Sequence, residues 1–233
     1  MKRLKWDQQK RESLCIFLYF SVAAVTVLLL ATRSSFLYPC NNWDDANSYF
    51  SVGKAIFNGK LPYREVFDQK GILLYFLYGL CYLISHTTFA GVFVMECILA
   101  FFDLVGIYRI LLLYMKRNTA LVLTPFPLAM VLASYSFYWG GAAEEICFPF
   151  LVWGLYFGLR YFKKEYPHKA MDSRTLVAAG VLAGVVANIK FTVLGFFFAW
   201  MMWVALSCLI RKDVKRAFVS CGWFLLGMAV PFL

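Results

Sequence analysis

Charge is scarce in this chain. Charged residues make up 15% of its 233 positions, against about a quarter in soluble domains. Acids are fewest, with 13 Asp and Glu against 23 Lys and Arg. There are two histidines, His86 and His168, far apart in sequence, which argues against a histidine metal centre. The seven cysteines show no CxxC spacing. Six of them (15, 81, 97, 147, 208 and 221) lie in apolar segments, and the loop cysteine, Cys40, has no evident partner. A disulfide framework and a zinc knuckle are therefore not indicated. No short internal repeat and no low-complexity tract is visible.

What is present is apolar sequence in blocks. Hydrophobic residues total 62%, gathered in Leu14–Ala31, Phe89–Tyr114, Thr119–Tyr138, Ile146–Phe162, Leu176–Asn188, Phe191–Ile210 and Ala217–Leu233. Most approach the ~20 residues that a bilayer-crossing helix needs. The expected fold is all-α, a polytopic membrane bundle of about seven spans plus one short re-entrant helix. Leu14–Ala31 is long, and SSFLYPC follows it rather than a small-residue cleavage site, so it reads as a retained signal anchor. The net charge of +10 does not point to nucleic acid, because the basic residues sit in short loops beside the spans.

Those basic residues also set the orientation. They cluster as five in Met1–Ser13, three at Arg109, Lys116 and Arg117, five in Arg160–Arg174 and four in Arg211–Arg216. If Gly71–Ser85 crosses the membrane, parity scatters the clusters over both sides. If it does not cross, all four share one side, as the positive-inside rule prefers. The N-terminus is then cytoplasmic in a multi-pass protein of the plasma membrane. The Arg33–Lys70, Gly140–Glu145 and Asn188–Thr192 loops face outward together.

The first of these loops is the longest polar stretch and holds Asp44, Asp45, Glu65 and Asp68. Asn41 or Asn42 is a plausible N-cap for a helix with Asp44 and Asp45 in its first turn, where the helix dipole favours anions. Ala46, Tyr49, Phe50, Gly53, Ile56 and Phe57 recur at helical spacing, an amphipathic pattern suited to the membrane surface. Asn58-Gly59 ends it and Leu61-Pro62 turns the chain.

At these residues a resemblance appears. Asp44-Asp45, then Gly59-Lys60-Leu61-Pro62-Tyr63-Arg64, then Phe67-Asp68-Gln69-Lys70-Gly71-Ile72-Leu73 resembles the first external loop of GT-C glycosyltransferases. The likeness is to the bacterial branch related to protein O-mannosyltransferases and the lipid A aminoarabinose transferase, family-39-like enzymes. Gly71-Ile72 stands where that branch commonly has a proline. Gly140-Gly141-Ala142-Ala143-Glu144-Glu145-Ile146-Cys147-Phe148-Pro149-Phe150 is similar to its second acidic loop, and Asn188-Ile189-Lys190 to its lysine-bearing turn.

The resemblance implies transfer of a sugar from a polyprenyl-phosphate donor to a hydroxyl on a glycan, lipid or protein acceptor at the extracytoplasmic face, for example in building a cell-wall polysaccharide. Asp44 or Asp45 would take the acceptor proton. Lys70, Lys190 and Arg64 would meet the leaving phosphate. Asp68, Glu144 and Glu145 would hold substrate hydroxyls or a metal. No cofactor is fixed by these residues, and a shared divalent cation, magnesium or manganese, is left open. The resemblance covers 1–233 as the N-terminal part of such an enzyme, whose C-terminal part would be absent, since the chain stops inside an apolar run.

Blander roles compete at each position. The acid pairs are also good helix-terminal anions, and the lysines good snorkelling residues. Glu96 and Asp103 lie seven apart inside one span, where acids serve either function or interhelical packing. Two other readings stand beside the enzyme: an inactive remnant or membrane scaffold, and a lipid or solute transporter, which would line its spans with charge.

Overall fold

The computed structural model describes residues 2–38 and 40–233, with side chains from residue 10 onward apart from position 39. Lys2, Arg3 and Lys5 of the N-terminal basic cluster thus lie outside the described side chains. Among the described residues the fold is all-α, with ten helices and no strand. They are α1 (Lys2–Ala31), α2 (Asp44–Phe57), α3 (Ile72–Ile84), α4 (Ala90–Leu111), α5 (Arg117–Leu123), α6 (Pro125–Leu132), α7 (Ala143–Lys164), α8 (Ser173–Ala187), α9 (Gly195–Ile210) and α10 (Val214–Ala229). Short 3-10 turns precede α9 and follow α10.

Three helical stretches are long and apolar enough to cross a membrane: Lys10–Ala31, Ala90–Leu111 and Phe191–Ile210. The others fall short for identifiable reasons. The expected Thr119–Tyr138 span is broken into α5 and α6 at Thr124, whose hydroxyl donates back to the Ala120 carbonyl at 2.6 Å and which precedes Pro125, a residue fitted only to a first turn. Helix α7 is long but carries Glu144, Glu145, Arg160, Lys163 and Lys164, and it holds Pro149 in its interior. Helix α8 has 15 residues, a rise of about 22 Å.

The proposed N-cap of α2 is corrected. The capping position is Trp43, with no side-chain cap bond. Asn41 instead accepts from the Trp43 amide at 3.0 Å and donates to the Trp139 carbonyl at 2.6 Å, tying the loop to the turn before α7. The apolar face of α2 packs on α3. Ala46, Tyr49, Val52 and Gly53 are buried, and a Cβ on Gly53 would lie 2.6 Å from the Gly79 nitrogen, so the two backbones touch. Helix α3, at 13 residues, rises about 20 Å, well short of a ~30 Å hydrocarbon core.

Two apolar cores result. One joins α2, α3, α7, α8 and α9 through Tyr49, Leu74, Tyr78, Ile146, Ala183 and Phe197. The other joins α1, α4 and α6 through Phe20, Leu28, Leu104 and Leu128. Polar contacts collect at the two ends of the helices. At one end Arg117 pairs with Glu12 at 2.7 Å, Lys163 bonds the Leu113 carbonyl, and Tyr161 donates to the Lys169 carbonyl at 3.2 Å. At the other, Arg33 meets Tyr138, Ser34 meets Glu96, and the Gly71 amide donates to the Ile189 carbonyl at 3.2 Å.

Candidate functional site

The second end gathers most of the singled-out residues. Asp45, in the first turn of α2, accepts a hydrogen bond from the Tyr49 hydroxyl one turn on, at 3.2 Å. Burial, then the negative charge of Asp45, holds the Tyr49 phenol well above its ordinary range, and Glu144 and Asp68 push the same way. Of the three acids only Asp45 touches the phenol; Glu144 and Asp68 act on it through their charge. Asp68 is held in place by Ser48 at 3.4 Å and by the Gln69 amide at 2.6 Å. Asp44 is exposed and makes no side-chain hydrogen bond among the described residues.

Glu144 forms an ion pair with Lys190, the latter on the turn after α8. That turn is locked against the start of α3. Besides the Gly71–Ile189 bond, the Asn188 side-chain oxygen lies 3.5 Å from the Leu73 amide. Lys70 and Lys190 consequently line one open cavity of about 480 Å³, with Gly71 and Thr192 between them. Two ammonium groups on one small, partly polar cavity suit a phosphate.

Arg64 is not brought to this cavity. It stands exposed on a tight turn closed by the Tyr63 amide to the Val66 carbonyl at 2.8 Å, with Tyr63 at a φ of 63°. The Tyr63 hydroxyl, not Arg64, reaches back, donating to the Lys70 carbonyl at 2.7 Å. Burial, and then Asp68, raises the Tyr63 phenol above its ordinary range.

Glu145 differs from its neighbour. It is buried against Glu96 of α4, and its Oε2 has no partner among the described residues. Glu96 accepts from the Ser34 hydroxyl and the Gly141 amide, and Tyr78 donates to the Gly141 carbonyl at 2.5 Å. Gly140 and Gly141 both have a φ of 73°, a region that costs other residues about 1–2 kcal/mol. This backbone lets the turn close over the carboxyl pair. Sequence reasoning raised Glu96 as an intramembrane acid but missed Tyr49, Tyr78 and Ser34. A buried tyrosine on an apolar helix face reads as core packing, and its hydroxyl partner is a fact of tertiary structure.

Among the described residues no three His, Cys, Asp or Glu side chains gather as metal ligands, and Glu144 is already neutralised by Lys190. The acids therefore offer no ready set for the divalent cation that the sequence left open.

The helices and this site define an all-α protein with membrane-length helices and an acid–lysine cluster at one end. Residues 4–232 match the family model described as “Putative competence-induced protein Ccs4 N-terminal domain”, and the chain belongs to that family. No curated protein and no solved structure matches it.

Proposed function

We propose that the chain carries the catalytic face of a membrane glycosyltransferase that moves a sugar from a polyprenyl-phosphate donor to a hydroxyl acceptor. The observation that carries this reading is the ion pair of Glu144 with Lys190, which sets a carboxylate against a cavity lined by Lys70 and Lys190. Acids and ammonium groups are both required by the reaction, and here they adjoin.

In the proposed step, Asp44 or Asp45 accepts the proton of the acceptor hydroxyl as its oxygen bonds the anomeric carbon. The bond from that carbon to the phosphate oxygen breaks, and the electron pair leaves with the lipid phosphate. Lys70 and Lys190 neutralise that developing charge, which a lipid-facing site screens weakly. Glu144 occupies Lys190 in the resting protein, so donor phosphate exchanges with a carboxylate rather than with bulk water. One carboxylate base and one displacement give inversion at carbon.

The accompanying topology keeps seven crossings, α1, α4, α5 with α6, α7, α8, α9 and α10, and separates α3 from the similarly short α8 by charge asymmetry rather than by length. Helices α2 and α3 lie on the outer face of the plasma membrane, and the N-terminus is cytoplasmic. Charge asymmetry supports this arrangement.

The test measures sugar transfer from a polyprenyl-phosphate donor in membranes carrying Asp44→Asn or Asp45→Asn. One of them should lose about 10²-fold or more, and undiminished transfer in both would remove the base assignment. Topology is read separately. With an impermeant thiol reagent, Lys70→Cys should label from outside and Asn118→Cys only after the membrane is opened.

A further inference from the structure

A second cavity at this end is not used by the transfer step. It encloses about 660 Å³ between the α1–α2 loop and the start of α4, and Arg33, Cys40, Asn41, Asn47, Thr87 and Phe93 are among its walls. Arg33 is unusually placed. Its guanidinium lies over three rings, 4.7 Å from the Tyr138 centroid, 5.0 Å from Trp139 and 5.4 Å from Tyr38. One of its NH₂ groups donates to the Tyr138 hydroxyl. Its Nε is buried without a partner, and no carboxylate among the described residues pairs with it.

A guanidinium fixed by aromatic faces, with an unused donor and no counter-ion, is preorganised for a planar or tetrahedral oxyanion. The free polar groups among its lining residues, Arg33 apart, are neutral. Asn47 spends its amide nitrogen on the Asn41 and Trp43 carbonyls, leaving its oxygen to accept. Thr87 is exposed. Aromatic walls with single amide and hydroxyl groups suit an oxyanion that also bears hydroxyls.

We infer that this cavity binds a hydroxylated oxyanion of the glycerol-phosphate or sugar-phosphate type, with the anion on Arg33 and its hydroxyls on Asn47 and Thr87. The ligand chemistry is shared by phospholipid headgroups and by free phosphorylated polyols. Binding is independent of sugar transfer. Asp44 lies one turn before Asn47 on the same face of α2, so a hydroxyl bound here stands next to a candidate base. That connection alone rests on the transfer reaction.

Cys40 lines the cavity and is exposed, which makes it a reporter. The full chain in a Cys15→Ser background is placed in phosphatidylcholine nanodiscs, and the rate of Cys40 modification by a charged maleimide is followed. Glycerol 3-phosphate at ten times its dissociation constant should slow modification about tenfold. Slowing by phosphatidylglycerol in the disc, with nothing added, would identify a lipid headgroup as the source. Slowing by the soluble probe alone would identify a free anion. Either supports the site. Arg33→Gln should abolish the slowing, and Lys190→Gln should retain it. Should Arg33→Gln not fold, Arg33→Lys keeps the charge but loses the fork and should raise the half-protecting concentration about tenfold. No slowing in either arm, protection surviving Arg33→Gln or unchanged in Arg33→Lys, or equal loss in Lys190→Gln would each overturn the inference. None of these readouts involves Asp45, so loss of the transferase reading leaves this result standing.

Discussion

Replacing Gly71 by alanine tests whether the lysine cavity is built by contact between α3 and the turn after α8. A Cβ at Gly71 would lie 1.9 Å from the Asn188 carbonyl oxygen and 2.3 Å from its carbon. Both atoms are backbone, so no side-chain rotation relieves the overlap. The two segments must part by on the order of 1 Å, and inserted groups in packed sites cost about 1–3 kcal/mol. Parting also stretches the 3.2 Å bond from the Gly71 amide to the Ile189 carbonyl, worth about 1 kcal/mol. The expected loss is about 2–4 kcal/mol. It is measured by reversible unfolding in mixed micelles, with Gly222→Ala, where added atoms meet nothing within 4 Å, as the control. A second readout is disulfide formation between Lys70→Cys and Lys190→Cys, which should slow markedly when Gly71→Ala is added. Stability within about 0.5 kcal/mol of the parent, with unchanged cross-linking, would refute the reasoning.

Three further outcomes are expected. Gly140→Ala should cost about 3 kcal/mol or more, because φ is positive and the new Cβ falls 1.8 Å from the Thr32 hydroxyl; equal unfolding midpoints would count against the closed turn. Ile72→Pro should be tolerated or stabilise by up to about 1 kcal/mol, since residue 72 opens α3 and Gly71, at φ −71° and ψ 151°, already has the backbone a following proline demands; loss of folded protein would contradict this. Tyr49→Phe should cost about 1 kcal/mol at neutral pH. The phenol is raised in the folded state, so its contribution is complete below the ordinary tyrosine value of about 10 and is lost as pH rises above it. The variant should therefore lose less stability than the parent in alkali, and identical alkaline slopes would exclude a buried neutral Tyr49.

Much of the architecture was legible because it depends on composition and spacing. The helical character follows from the apolar blocks, and the extent of α2 from its spacing of Ala46, Tyr49 and Gly53. Asn58-Gly59 marks its end, where Gly59 takes a φ of 86°. Glu144 and Lys190, expected on one face from the charge count, meet as an ion pair. Other features were not legible. The division at Thr124 comes with Pro125 and Pro127, which bring no amide donors to the helix, a loss that hydropathy blocks do not register. The N-cap failed because Asn41 had a better use 98 residues away, on the Trp139 carbonyl. The Glu96–Glu145 pair joins two helices whose relative rotation no periodicity specifies. Arg33 entered the sequence reading only as the first residue of the external loop, and the assembled rings of Tyr38, Tyr138 and Trp139 distinguish it.

Pro149 in α7 has a consequence for the acids above it. Lacking an amide hydrogen, it leaves the Glu145 carbonyl without its usual helical partner, so the turn carrying Glu144 and Glu145 is coupled less firmly to the helix below. Its aim is set instead by two tethers of opposite character, the ammonium of Lys190 on one acid and the buried carboxyl of Glu96 on the other. An anion that claims Lys190 releases the outer tether while the inner one holds. Under the proposed transfer, the top of α7 would then act as a pivoting bracket rather than a fixed post, with an arriving phosphate changing where Glu144 points.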